Sequence, residues 1–126
     1  MLKKTIEYKD YNDVVRKEDF YFNLTQAEVV EMETEQTGGL AEMITRAVNA
    51  KDMPTVIRIF KDLVLRAYGE KSLDGRQFVK NEKVREAFAQ TEAYSILFME
   101  LATNADAAAA FVKGILPANM AEAINK

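Results

Sequence analysis

The segment Asp52 to Lys80 constrains the fold more than any other part of this chain, because it specifies one helix and both of its ends. Asp52 is placed to accept hydrogen bonds from the unpaired N–H groups of a first helical turn, and Pro54 fits that turn because no N–H is needed there. At about 100° per residue, the apolar side chains fall on one broad arc: Val56, Ile57, Ile59, Phe60, Leu63, Val64, Ala67 and Tyr68. An arc this wide predicts a central helix over residues 53–68 that packs against neighbours on two sides.

The end of this helix is predicted at Gly69, since glycine adopts the left-handed conformation of a C-terminal cap at little cost. Asp74-Gly75 then indicates a turn. The residues from Arg76 to Lys80 are too few and too mixed to be assigned to a helix or a strand.

The N-terminal residues predict a β-hairpin. Ile6 and Tyr8 alternate with polar neighbours, and the stretch from Phe20 to Leu24 alternates in the same way, which is the period of a half-buried strand. The intervening Asp10 to Asp13 is rich in turn residues, and residues 14–19 fit either a continued strand or a bridge. A hairpin is marginally stable alone, so it must lie on the helical remainder of the chain.

The rest of the chain predicts helices. Thr25 and Glu28 match a capping box, which starts a helix that runs to about Glu35. Further helices are expected over residues 40–49, 82–90, 92–102 and 105–113, with a short last one over 118–124, and the pair 82–90 and 92–102 is equally compatible with one continuous helix. The fold class is therefore α+β and mostly α-helical, with an N-terminal β-hairpin (1–24) and five to seven helices (25–126) around the central helix, in a single domain over 1–126.

The residue types restrict the chemistry. The chain has neither cysteine nor histidine, so the commonest general base, the commonest metal ligand and every thiolate site are missing. We find no P-loop, no zinc or calcium motif and no nucleophile with an activating base, and we expect no enzyme activity, no catalytic residues, no metal site and no cofactor. The first ten residues lack an apolar stretch, so no signal peptide is expected.

Charge separates two parts of the chain. Residues 26–50 carry five Glu and one Arg, a net −4, whereas residues 51–85 carry nine Lys or Arg and five Asp or Glu, a net +4. The whole chain has a net charge of −3, which is unlike a nucleic-acid-binding domain, and no apolar run is long enough to span a membrane. We therefore expect neither nucleic acid nor membrane as a partner, and the two charged parts either solvate or pair with each other.

Nearly the whole chain resembles the phage tail assembly chaperones of siphophages and prophages from Gram-positive bacteria. The resemblance rests on Thr25–Glu28, Phe60–Phe78, Gln90–Ala102 and Asn104–Phe111, followed by Gly114–Pro117. It implies a non-enzymatic chaperone in the host cytoplasm that binds the tape measure protein, keeps it soluble, promotes tail tube assembly and is absent from the finished virion. The tail tube protein is a further possible partner, and self-association into a homo-oligomer is plausible because hairpin edges and alanine-rich helices favour it.

A tape measure protein is a long amphipathic helix before it is encased, and its expected receptor is an adaptable apolar groove. We place part of that groove on the C-terminal helices, with partner-binding residues Tyr94, Leu97, Phe98, Met99, Leu101 and Phe111. The alternative is a structural virion protein such as a head–tail connector or a tail terminator, which would remain in purified particles.

Overall fold

The computed structural model describes residues 1–35 and 52–117, and these form four strands and five helices. In chain order they are β1 (Leu2–Lys9), β2 (Val15–Phe22), α1 (Gln26–Glu35), α2 (Met53–Ala67), β3 (Tyr68–Lys71), β4 (Phe78–Val79), α3 (Glu82–Ala89), α4 (Glu92–Thr103) and α5 (Ala105–Ile115). The predicted α+β class and the N-terminal hairpin are confirmed. The helices predicted over 40–49 and 118–124 lie outside the described residues, and the packing of five to seven helices around α2 stays a prediction.

The sheet is antiparallel, with its strands in the order β1-β2-β3-β4. β1 and β2 pair along their full length, from Leu2 opposite Phe22 to Lys9 opposite Val15. β3 adds to β2 only at Tyr21 and Phe22, so most of the hairpin extends beyond the rest of the sheet. One face of the hairpin carries Ile6 and Phe22 into the core, and the other carries polar side chains into solvent.

The turn of the hairpin follows from Asp10. Its Oδ1 accepts hydrogen bonds from the backbone N–H groups of Asn12, at 2.8 Å, and Val14, at 3.0 Å. Asp13 has a positive φ of 61°, a conformation that aspartate tolerates better than most residues. The chain therefore reverses within residues 10–14, and Val15 already belongs to the second strand.

The prediction that Gly69 caps α2 in a left-handed conformation is wrong. α2 ends at Ala67, Tyr68 is extended, and Gly69 lies in β3 opposite Tyr21. Glycine fits there because a Cβ atom would lie 2.7 Å from Cε2 of the Phe78 ring, so a larger residue would displace that ring. The conformational freedom of glycine is used instead at Gly75, which has a φ of +75° in the predicted Asp74-Gly75 turn. The two short strands on either side of that turn lie within the range 25–126 that the sequence assigned to helices.

The helix starts agree with the sequence because each one has its own capping side chain. Thr25 and Glu28 form the capping box with reciprocal hydrogen bonds of 2.9 Å and 3.2 Å. The side chains of the other predicted caps, Asp52, Asn81, Thr91 and Asn104, each accept a hydrogen bond from the backbone N–H three residues later. The Thr91 cap also separates α3 from α4, which are two helices and not one.

Removing the Asn104 cap is expected to destabilise the protein by about 1 kcal/mol. The Asn104 Oδ1 accepts from the Ala107 N–H at 3.0 Å, and an Asn104→Ala variant leaves that donor unpaired at the start of α5. Urea unfolding followed by circular dichroism would measure the change. Asn104→Asp restores an acceptor and is the matched control, so an equal loss in both variants would contradict a capping role.

The core lies between the inner face of the hairpin and the helices. α4 and α5 both contact β1, and α2 contacts α3 and α4. The Tyr68 and Phe88 rings stack with their centres 4.1 Å apart, while Phe22 meets Phe111 at 5.3 Å in an edge contact. These rings join the hairpin, α3 and α5, and they fix the position in which α4 is held.

Candidate partner-binding surface

The six residues predicted to bind a partner occupy different depths in the structure. Leu97, Leu101 and Phe111 are buried in the core, with exposed fractions of 0%, 4% and 2%. Tyr94 and Phe98 are half-buried, and their ring centres lie 6.0 Å apart. Met99 is 54% exposed. The partner-binding role of this set stays a prediction, and in this conformation a partner has access chiefly to Met99 and to the open parts of Tyr94 and Phe98.

Met99 belongs to a continuous exposed side of α4, which we call the α4 outer face. Its residues are Ser95, Ile96, Met99, Ala102 and Thr103, and all of them are exposed. They lie opposite the buried row of Ala93, Leu97 and Leu101. A helix that is apolar on most sides is ordinarily buried within a protein, so the open side of α4 is a candidate binding surface.

The five residues of the α4 outer face carry no ionisable side chain, but two carboxylates border them. Glu92 and Glu100 lie four residues before and four residues after Ile96, and Oε1 of Glu100 pairs with the Lys4 Nζ at 3.2 Å. The Thr103 hydroxyl donates a hydrogen bond of 2.6 Å to the Met99 carbonyl oxygen. The face therefore presents apolar and weakly polar groups to solvent, with an ion pair at one border.

The hydroxyls of Tyr68 and Tyr94 have a raised pKa. Burial raises the pKa of Tyr94 above its ordinary value, and burial, with smaller contributions from Glu70 and Glu18, raises the pKa of Tyr68 to about 12. Both hydroxyls are neutral near neutral pH, as an exposed tyrosine also is.

The other surface features of the described residues are less suited to binding a partner. A shallow depression of about 650 Å³ on α3 is lined by Asn81, Glu82, Lys83, Glu86, Ala87 and Gln90. Its lining residues are polar or charged apart from Ala87, and the charges are of both signs. The described residues contain no cluster of acidic side chains that would hold a metal ion. Leu73 is fully exposed at the tip between β3 and β4, and a lone exposed apolar residue is common on protein surfaces.

Within residues 1–35 and 52–117, no single helix is long and apolar enough to cross a membrane. α4 and α5 reach that length and apolarity only when taken together, and they are bent by 115° at the break between them. Both helices bury their inner sides, including Leu97 and Phe111, in the core of this structure.

Ile96 is the residue of this surface that the sequence analysis missed. It is 39% exposed and lies one helical turn from Met99. The available signal was the spacing of Ala93, Leu97 and Leu101, which marks the buried side of α4 and leaves Met99 on the opposite side and Ile96 on its flank.

The comparisons with known proteins give one match. A family model described as phage tail assembly chaperone matches the chain over residues 1–126. Neither the curated proteins nor the solved structures give a match.

Proposed function

This chain belongs to the phage tail assembly chaperone family, and we propose that it binds the tape measure protein, keeps it soluble and promotes assembly of the tail tube. On this proposal the protein acts in the host cytoplasm and leaves before the virion is complete, and the tail tube protein is a further possible partner. The observation that carries the proposal is the exposed, uncharged α4 outer face.

The chemistry of this face suits an amphipathic helix. A helix of the tape measure protein exposes a stripe of apolar side chains before the tube surrounds it, and burying that stripe on Ile96 and Met99 removes apolar surface from water. Methionine adapts its shape readily, so one surface accepts successive segments of a long partner. The half-buried rings of Tyr94 and Phe98 extend the same surface.

The contact is also suited to release. A chaperone must bind tightly enough to prevent aggregation and weakly enough to yield when the tube polymerises. The α4 outer face has no charged group for a buried ion pair, so binding depends mainly on apolar contact. A non-catalytic role of this kind needs no activated nucleophile, metal or cofactor.

An Ile96→Glu and Met99→Glu double variant is expected to bind tape measure fragments at least about tenfold more weakly than the wild type, because two carboxylates would be buried against an apolar partner. Both positions are exposed, so the variant should keep its fold and thermal stability. Co-expression with overlapping tape measure fragments, followed by affinity capture and measurement of the soluble fraction, tests this expectation.

Leu73→Glu is the matched control, because Leu73 is an exposed apolar residue in a distant turn. It should leave capture unchanged. Absence of capture by the wild-type chain, with no gain in fragment solubility, would overturn the proposal. Mass spectrometry of purified particles provides a second test, since a connector or tail terminator remains in the particle and a chaperone does not.

A further inference from the structure

Among the described residues, β1 is the outermost strand of the sheet. Residues Leu2–Lys9 pair with β2 on one side, and no strand in the described ranges pairs with the other side. An eight-residue strand edge of this kind is a template for another strand, because its outward backbone N–H and C=O groups have no strand partner. Its side chains decide which strand fits.

The sequence of β1 is complementary to itself in one antiparallel register. A two-fold axis perpendicular to the sheet, midway between the two strands at Thr5, places Thr5 opposite Thr5 of a second copy. Lys3 then lies opposite Glu7 of the second copy, and Glu7 lies opposite Lys3, on the solvent-facing side of the sheet where all three residues are exposed. Opposite charges at directly facing positions stabilise antiparallel strands. The Thr5 hydroxyl already donates to Oδ1 of Asp19 at 2.6 Å within the hairpin, so the two charge pairs carry the complementarity.

The side chains on the core-facing side of the sheet are also compatible with this register. Leu2 faces Tyr8 of the second copy, and Lys4 faces Ile6. Lys4 would be a poor neighbour for an isoleucine if its charge were free, but its Nζ is held by Glu100 at 3.2 Å. The pairing therefore places apolar groups together without leaving an uncompensated cation among them.

The neighbouring registers are worse. With the axis at Lys4, the facing pairs of Lys3 and Glu7 are lost, and the two Lys4 side chains face each other, each beside its own Glu100. With the axis at Ile6, Lys3 faces Lys9 twice. Like charges directly opposite one another destabilise a pair of strands, so the lysines of β1 disfavour the register about Ile6, and only the register about Thr5 pairs Lys3 with Glu7.

We propose that two copies of this chain associate through their β1 edges, antiparallel about Thr5, and so join their sheets into one continuous sheet. This interface lies on a strand edge and the α4 outer face lies on a helix, so the inference goes beyond the proposed binding of the tape measure protein. Disproof of the dimer would not affect the proposed binding of the tape measure protein, and the reverse also holds.

Charge reversal tests the register. Lys3→Glu and Glu7→Lys each turn two attractive pairs into two repulsive ones, because every contact occurs twice about the axis. Each variant is expected to weaken dimerisation roughly tenfold in sedimentation velocity over a concentration series at low salt. An equimolar mixture of the two variants should form mixed dimers at least as tight as the wild type, since the acidic edge of one then faces the basic edge of the other.

Lys61→Glu is the control, because Lys61 carries a similar exposed charge on α2, outside the sheet. It should leave dimerisation unchanged. Glu7 lies opposite Lys17 within the hairpin, so circular dichroism must show that each variant is folded. The Lys3→Glu and Glu7→Lys double variant restores complementarity in one chain and should dimerise like the wild type, even if a single variant folds poorly.

Two results would overturn the inference. One is a wild-type chain that stays monomeric up to about millimolar concentration. The other is a dimer whose strength is unaffected by the single charge reversals and shows no preference for the mixed pair, which would place the contact on another surface.

Discussion

Replacing Phe111 with alanine is expected to lower the free energy of unfolding by about 3–5 kcal/mol, because the change leaves a cavity between α5 and the hairpin. Phe111 is 2% exposed, and its ring centre lies 5.3 Å from that of Phe22. Urea unfolding of the purified chain, with the slope of the transition compared between variants, would measure the loss. An effect of this size would establish Phe111 as a core residue.

Met99→Ala is the matched comparison and should change the free energy of unfolding by no more than about 0.5 kcal/mol, since Met99 is 54% exposed. The two variants separate stability from binding within the set of residues that the sequence assigned to a partner. If Phe111→Ala instead reduced capture of tape measure fragments while stability stayed unchanged, Phe111 would contact the partner and the described packing of α5 would be wrong.

The second large effect on the free energy of unfolding is expected at Lys80, because its side chain joins three parts of the chain. Its Nζ donates to the Asn23 carbonyl oxygen at 2.6 Å and to Oε2 of Glu28 at 2.8 Å. The Lys80 side chain is only 13% exposed, and it comes from the residue that follows β4. Glu28 belongs to the capping box of α1, so one ammonium group ties the end of β2, the start of α1 and the start of α3.

A Lys80→Met variant is expected to lose about 1–3 kcal/mol of stability. Methionine retains much of the aliphatic bulk of lysine but leaves the Glu28 carboxylate and the Asn23 carbonyl without their donor. Adding Glu28→Gln should recover part of this loss, because a neutral amide is less costly to leave beside an apolar side chain. A double-mutant cycle by urea unfolding measures this coupling, and strictly additive losses would contradict a direct interaction.

The same pair predicts a dependence of stability on pH. Burial acts to raise the pKa of Glu28, but the hydrogen bonds from Lys80 and from the Thr25 backbone outweigh it and lower the pKa below its ordinary value near 4.5. The folded state therefore binds a proton less readily than the unfolded state. The stability that Glu28 contributes is fully present above pH 4.5 and is lost as the pH falls through the lowered pKa of the folded state.

Comparing wild type with Glu28→Gln isolates this effect from the other carboxylates. The difference in unfolding free energy between the two proteins should be largest at neutral pH and should shrink as the pH falls below 4.5. A difference that remained constant down to pH 2 would show that the Glu28 charge has no favourable partner in the folded protein.

Local features of this chain were predictable because the groups that determine them are adjacent in sequence. Asn81, Thr91 and Asn104 cap helices by reaching a backbone N–H three residues later, and that reach is independent of the rest of the fold. The Asp10 turn and the alternation that places Ile6 in the core are local for the same reason. The candidate site was predictable only as a region, since the residues from Tyr94 to Phe111 include both core and surface.

Contacts between residues that are distant in sequence determined the features that local patterns did not predict. Gly69 looks like a helix cap in sequence, but it lies in β3 and pairs with Tyr21, and its missing side chain leaves room for the Phe78 ring. β3 and β4 are too short to be recognised without the hairpin that β3 joins and the turn that separates them. Gly114, expected to end α5, lies within it, and a Cβ atom there would be 2.9 Å from the Leu2 side chain.

The sequence by itself determined the α+β class, the hairpin and the start of each described helix, because caps, turns and periodic apolar residues act over a few neighbouring positions. The spacing of Ala93, Leu97 and Leu101 already marks the buried side of α4, but only the tertiary structure decided whether another element covers its opposite side. Contacts with β1, α2 and α5 cover Leu97 and Leu101 and leave Ile96 and Met99 exposed. Periodicity cannot make that choice, because burial depends on elements that are distant in sequence and meet only in the folded chain.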